Sequence, residues 1–205
     1  EAIAACGYTG KIGFAFDCAS SEMYDKQSDT YLYAGHRVSR EELIDRAAEL
    51  IQKYPILFIE DLMSEDDWDG FIKAHQRLKG VKLIGDDFIV TNQKRLQKAH
   101  ECDALDGFIL KPNQVGTITE ALDTHAYAQS YGMITIPSGR SGGAVGDIVA
   151  DLALALEAPI SKNGAPKSGE RLDKINSLLR ASSENPGSHL RDLTELFHPA
   201  YFQHP

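Results

Sequence analysis

The sequence predicts an α/β fold built on a parallel sheet of the barrel type. Two observations support this prediction: six short apolar runs alternate with helical segments, and five of these runs end on a charged residue. Near-continuous apolarity is typical of strands that are covered on both faces. The runs cover residues 12–17, 56–60, 82–86, 107–111, 133–138 and 158–162.

Polar caps mark the starts of the intervening helices. Ser39 and Glu42 form a capping box, in which each side chain bonds a backbone N–H that the first helical turn leaves free. Thr117 and Glu120 form a second capping box, and that helix is expected to end near Gly132. The remaining helices are expected at about 66–79, 92–101, 145–157 and 169–180.

The chain has 205 residues, enough for one domain with a sizeable core. We assign residues 1–180 to the barrel and residues 181–205, which are rich in Ser, Asn, Pro and His, to a C-terminal extension. Leucines and a phenylalanine at 190–197 predict one or two short amphipathic turns there. Because a closed barrel needs about eight strands, we expect the others to come from polypeptide outside this chain.

Composition excludes several function classes. The net charge of -9 argues against nucleic-acid and anionic-membrane partners, which need basic surfaces. No apolar stretch is long enough to span a membrane. The three cysteines are widely spaced, which is typical of reduced thiols rather than of a disulfide framework. These features predict a soluble cytoplasmic protein, in which a local group of lysines and arginines can still bind a small anion.

Charged residues stand where the strands end. The carboxyl ends of parallel barrel strands meet at one rim, so we expect Asp17, Glu60, Asp86, Lys111 and Lys162 to converge. Three carboxylates make an all-oxygen site that suits Mg²⁺. A metal beside a lysine that can lose its proton suits removal of a proton next to a carboxylate, because the metal stabilises the resulting enediolate.

A glycine-rich loop, Ser138-Gly-Arg-Ser-Gly-Gly143, follows the fifth run. Arg140 offers a planar fork for phosphate, and Ser141 adds a donor. A phosphorylated carboxylic acid is therefore the expected ligand, although the loop alone also fits a flexible connection. The acidic run that includes Asp61 and residues 65–67 is expected to be an exposed face with helix caps.

The chain resembles the C-terminal barrel domain of enolase (phosphopyruvate hydratase) over about residues 1–180. The motifs that carry the resemblance include Gly13-Phe-Ala-Phe-Asp-Cys-Ala-Ser-Ser-Glu22, Gly85-Asp-Asp87, Leu110-Lys-Pro-Asn-Gln-Val-Gly116, Ser138-Gly-Arg-Ser-Gly142 and Lys162-Asn-Gly-Ala-Pro166. The resemblance implies a TIM-type (β/α) barrel of the enolase superfamily, with six of the barrel's βα units in this chain.

The same resemblance implies a role for each charged residue. Three carboxylates match the Mg²⁺ ligands: Asp17, Glu60 and Asp86. Lys111 matches the base that takes the C2 proton of 2-phosphoglycerate on the way to phosphoenolpyruvate. The implied substrate-binding residues are Glu60, Asp86, Ser138, Arg140, Ser141 and Lys162, of which Lys162 matches the carboxylate-binding lysine. A homodimer of the complete protein, with a contact at Arg180, is also implied.

The sequence departs from the family pattern in places that keep alternatives open. Gly139 stands where the family has histidine, and Gly143-Ala-Val-Gly146 replaces an acidic stretch. The family's general-acid glutamates lie upstream of this chain. A catalytically weak or inactive paralogue with a structural role is therefore the main alternative. A third option is a superfamily member that acts on a different carboxylate, and Arg140 with Ser141 argues against it.

Overall fold

The computed structural model describes residues 1–197. In chain order the elements are α1 (Ala2–Ala5), β1 (Phe14–Asp17), β2 (Tyr24–Asp25), β3 (Thr30–Tyr33), β4 (His36–Val38), α2 (Arg40–Lys53), β5 (Ile56–Glu60), α3 (Trp68–Arg77), β6 (Lys82–Gly85), α4 (Gln93–Glu101), β7 (Gly107–Leu110), α5 (Pro112–Val115), α6 (Ile118–Ser130), β8 (Ile134–Pro137), α7 (Val149–Ala155) and α8 (Gly169–Glu184), with 3₁₀ helices at Ser20–Met23 and Leu193–Glu195.

The main sheet has five parallel strands in the order β1-β5-β6-β7-β8. This arrangement agrees with part of a barrel and confirms five of the six predicted strands. The sixth is reduced to one parallel bridge between Ser138 and Lys162, so six complete βα units are not confirmed. Pro159 accounts for part of the difference, because proline has no N–H to donate to a ladder.

A smaller antiparallel sheet of β2, β3 and β4 precedes α2. Its central residue, Tyr31, is fully buried and lies against the main core.

At the edge of the main sheet, all four residues of β1 are exposed, including Phe14 and Phe16. Within the described residues, no helix combines the length and apolarity needed to cross a membrane.

One face of the main sheet is covered by helices. The large hydrophobic cluster on this face joins strand residues such as Leu83 and Phe108 to Ile44 of α2, Phe71 of α3 and Leu96 of α4. Phe71 stacks on Phe88 with ring centroids 3.8 Å apart. The capping box at the start of α2 is confirmed: the Ser39 and Glu42 side chains each accept from the other's backbone N–H. Such a cap contributes about 1 kcal/mol.

The opposite face, which we call the inner face, carries a second apolar cluster. It consists of strand residues together with Phe197 from the C-terminal segment: Leu57, Phe58, Ile84, Ile109, Ile134, Ile136 and Phe197. The amphipathic turn predicted here forms as the 3₁₀ helix Leu193–Glu195, whereas Leu190 is exposed. Helix α8 continues past residue 180, so the predicted domain boundary falls inside it. Residues 198–205 of the predicted extension lie outside the described residues.

Candidate functional site

Four of the predicted site residues share the inner face. Side chains alternate along a strand, so residues two apart point to the same side of the sheet. Glu60, Asp86, Lys111 and Ser138 each follow, by two positions, a residue of the inner apolar cluster. The apolar face therefore ends, at the carboxyl edge of the sheet, in charged and polar groups from four neighbouring strands.

Lys162 brings the first two carboxylates together. Its Nζ lies 3.0 Å from Oδ2 of Asp17 and 2.6 Å from Oε2 of Glu60. Asp17 and Glu60 are also register partners on adjacent strands. Since Lys162 is 145 residues from Asp17 in the chain, this contact is a product of the parallel sheet, as the strand-end argument predicted.

Lys111 contacts the third carboxylate. Its Nζ donates to Oδ2 of Asp86, while Nε2 of Gln114 donates to Oδ1 of the same carboxylate at 2.8 Å. Thr91 supports both neighbours: its hydroxyl accepts from the backbone N–H of Lys111 and donates to Oε1 of Gln114 at 2.9 Å. The side chain of Asp86 is thus fixed from two sides.

Burial shapes the electrostatics of this group. Glu60 is fully buried, and that burial raises its pKa, an effect that the Lys162 ammonium opposes. Burial alone would lower the pKa of Lys162, but its contacts with Glu60 and Asp17 hold the pKa above its ordinary value. Lys162 is therefore a fixed positive charge, suited to binding an anion rather than to accepting a proton.

The donor chemistry of the three carboxylates fits a hard divalent cation, since all their donors are oxygens. Among residues 1–197, however, no three His, Cys, Asp or Glu side chains are close enough together to hold a metal ion. Each of the three carboxylates contacts a lysine ammonium instead. The predicted metal ligands therefore converge on one rim but are arranged around cations of the protein itself.

A cavity of about 330 Å³ opens beside these ion pairs. Asp17 and Ser138 line it, and so do five cationic side chains: Lys111, Arg140, Lys162, Arg171 and Lys174. Arg140 and Ser141 are exposed at this cavity. In a chain with a net charge of -9, this concentration of cations is chemically suited to binding an anion.

The sequence predicts that the acidic run at 61–67 is an exposed face with helix caps; the expected cap is confirmed at Asp67, but Asp61 and Asp67 are both buried. Asp61 is 3% exposed, and its carboxylate accepts from the backbone N–H groups of Asp86 and Asp87 at 2.9 and 2.8 Å. Asp67 is buried as the N-cap of α3, where it also accepts from Tyr31 and Arg40. Burial is possible because these distant donors satisfy the carboxylates.

Sequence reasoning missed several site residues. Gln114, Arg171 and Lys174 reach the site from helices rather than from strand ends. The spacing of Gln114, three residues after Lys111, was the available signal, because the short helix that begins there turns it back toward Asp86. Cys18, which follows Asp17, is partly buried, and burial raises the pKa of its thiol to about 12.

The chain is similar in sequence to known proteins. Residues 1–189 match the family described as "Enolase, C-terminal TIM barrel domain". An enolase of Methanococcus maripaludis is 44% identical over 184 residues, which cover 90% of this chain and 43% of that protein. Enolases of Thermococcus gammatolerans and Methanopyrus kandleri are each 42% identical, covering 91% and 92% of this chain and 44% and 45% of those proteins.

The chain thus spans less than half the length of the relatives it matches. The matched region, residues 1–189, includes every strand of the parallel sheet and every predicted site residue. The chain belongs to the enolase family, and these residues correspond to the family's C-terminal TIM barrel domain.

Proposed function

We propose that the polypeptide carrying this chain is a Mg²⁺-dependent phosphopyruvate hydratase, which converts 2-phosphoglycerate into phosphoenolpyruvate and water in glycolysis. The relatives named enolase support this class of lyase. The observation that carries the proposal is the pairing of Lys162 with Asp17 and Glu60, beside the pairing of Lys111 with Asp86. Carboxylates and amines that meet at one strand edge are the groups this chemistry needs.

Asp17, Glu60 and Asp86 would hold the Mg²⁺ ion. When bound, the ion supplies positive charge that stabilises the doubly charged enediolate formed from the substrate. Because a divalent cation would neutralise the same carboxylates that now contact the lysines, it would free Lys111 and Lys162 to contact the substrate. The all-oxygen donor set supports this assignment.

In the proposed reaction Lys111 takes the proton from C2 of 2-phosphoglycerate. The electron pair of the broken C–H bond passes into the carboxylate and forms the enediolate. The electron pair then returns from the enediolate to form the C2–C3 double bond, and hydroxide leaves C3. Lys162, with its raised pKa, holds the substrate carboxylate, and Arg140 with Ser141 holds the phosphate. The acid that protonates the departing hydroxide is assigned to none of these residues.

The test is an assay of phosphoenolpyruvate formation by the full-length natural polypeptide that contains this chain. We expect turnover with Mg²⁺, loss of turnover after chelation, and recovery when Mg²⁺ is restored. A polypeptide that binds Mg²⁺ and 2-phosphoglycerate but forms no product would contradict the proposal.

A second candidate is a catalytically weak or inactive enolase-like paralogue with a structural role. Gly139 favours it, because this residue has no side chain to contact substrate where the family has histidine. The absence of turnover in the same assay, together with intact folding, would support this alternative. For the complete protein we further propose a cytoplasmic homodimer, with Arg180 at the contact; sedimentation of that protein at several concentrations checks the dimer.

A further inference from the structure

Lys174 of α8 is a buried lysine at the proposed substrate site. The residue is only 3% exposed, yet it lines the cavity beside Arg140 and Lys162. Its Nζ lies 2.5 Å from Oδ2 of Asp147 and donates to the backbone carbonyl of Glu170 at 3.0 Å. An ammonium carries three donors, so these two acceptors leave one N–H for a group in the cavity.

Gly139 makes the room that Lys174 occupies. A Cβ atom at position 139 would lie 2.9 Å from Cε and 3.3 Å from Nζ of Lys174. The first distance is shorter than real Cβ contacts, so any side chain at 139 would have to displace the lysine. Gly139 lies between Ser138 and Arg140, in the loop assigned to phosphate. The Lys174 ammonium can therefore take this position only because residue 139 has no side chain.

We infer that Lys174 is an additional anion-binding residue of this site, which reaches the phosphorylated carboxylate through the space left by Gly139 and whose ammonium is paired with Asp147 when no ligand is bound. The inference rests on the proposed function for the identity of the ligand. It makes Lys174 a specificity-determining residue: the site gains a fixed cation next to the phosphate loop. A ligand without a second anionic group would gain little from it.

A purely structural ion pair between α8 and residue 147 is the competing explanation. In that case Lys174 and Asp147 stabilise the fold together, and removing either partner has the same effect on the protein. If Lys174 binds the ligand, the two residues have opposite effects on ligand affinity. Lys174 attracts the anion, whereas Asp147 competes with the anion for the same ammonium.

Calorimetric titration of the full-length natural polypeptide with 2-phosphoglycerate in the presence of Mg²⁺ separates these accounts. We expect Lys174→Met to weaken binding about tenfold or more, as the loss of a charged hydrogen bond does, and Asp147→Asn to tighten it. Lys73→Met is the matched control, because Lys73 pairs with Glu41 at 2.8 Å on an exposed surface away from the cavity. That control should leave binding unchanged.

Gly139→Ala gives a second measurement that keeps every charge. Its Cβ should push the Lys174 ammonium from the cavity and weaken binding in the wild-type background, but have little further effect when Lys174 is already Met. Binding unchanged by Lys174→Met, or weakened equally by Lys174→Met and Asp147→Asn, would overturn the inference. If the wild-type polypeptide turns over 2-phosphoglycerate in that case, the proposed function still stands. If it neither binds nor converts 2-phosphoglycerate, both fall.

Discussion

The two ends of the parallel sheet each hold a buried or half-buried carboxylate that is bonded to cations. At the carboxyl end, Glu60 accepts two hydrogen bonds from Lys162, 102 residues away in the chain. At the amino end, Asp106 accepts from Nζ of Lys82 and from the backbone N–H of Leu83, both at 2.9 Å, and lies 3.2 Å from Nε2 of His75.

The two ends differ in whether the groups that donate hydrogen bonds to the carboxylate can be displaced. The backbone N–H of Leu83 belongs to β6 and stays in place while the sheet exists, so the network around Asp106 is part of the fold. Among the described residues, the carboxylates of Glu60 and Asp86 accept from side chains alone, and under the proposed function a metal ion or substrate would replace these donors. Under the proposed function the ion pairs at the carboxyl end are exchangeable, whereas the network at the amino end includes a backbone donor that is not.

The largest expected effect is at the carboxyl end. Lys111→Ala should lower the turnover of 2-phosphoglycerate by about 10²–10⁴, the usual contribution of a general base, because the C2 proton then has no acceptor. Steady-state assay of the full-length polypeptide measures this effect, and thermal melting checks that the variant is folded. Undiminished turnover would show that Lys111 is not the base.

The matched control at the amino end is Lys82→Met. This change removes one charged donor from Asp106, and because the Lys82 side chain is 36% exposed the free energy of unfolding should fall by only about 1 kcal/mol, measured by urea titration. Turnover at a temperature where the variant is folded should not change. A large loss of turnover with normal stability would contradict the division between the two ends.

The smallest expected effect is a pH dependence of stability at the amino end. The hydrogen bond to Asp106 raises the pKa of His75 above its ordinary 6.5, although burial opposes the rise. Protonated His75 therefore stabilises the fold fully below pH 6.5, and this stabilisation is lost as the pH rises through the raised pKa.

His75→Asn tests that linkage. The melting temperature of the variant should lie below that of the wild type at about pH 5.5, and the gap should narrow by about pH 8.5. A gap that is constant across this range would mean that the charge of His75 contributes nothing. Activity at pH 7 should be the same in both proteins, since His75 lies at the amino end of the sheet.

The strand ends were predictable because their signal is local. Apolar runs that stop at Asp17 and Glu60 mark both the strand and its last residue, and the run that stops at Lys111 marks a strand that ends one residue earlier. The parallel sheet brings these residues together. The reduction of the sixth predicted strand to a single bridge was not predictable from apolarity alone. Its residues pair with β8 only at Lys162, because the sheet ladder depends on backbone donors as well as on side chains.

The sequence does not predict which charged side chains are buried. Asp61 and Asp67 look like members of an exposed acidic run, and the groups that satisfy them come from Asp86, Tyr31 and Arg40, far along the chain. Lys174 was missed for the same reason: its partner Asp147 and the space at Gly139 meet only in the folded chain.

The C-terminal segment illustrates a third limit. The apolar spacing at 190–197 predicts a short turn but does not say what the turn covers. In the structure Phe197 is 3% exposed and lies among the inner-face residues Phe58 and Ile84. Its position there depends on the inner face of the sheet being open to it, which is a property of the whole sheet rather than of the segment.

Titration of the full-length polypeptide with Mg²⁺ in the presence of 2-phosphoglycerate, followed by calorimetry, tests the central claim most directly. We predict saturable Mg²⁺ binding by the wild type, and binding weakened by more than about tenfold in Glu60→Gln, which keeps the shape of the side chain but removes its charge. Absence of Mg²⁺ uptake by the wild type, or equal uptake by Glu60→Gln, would contradict the claim that these strand-end carboxylates hold the metal.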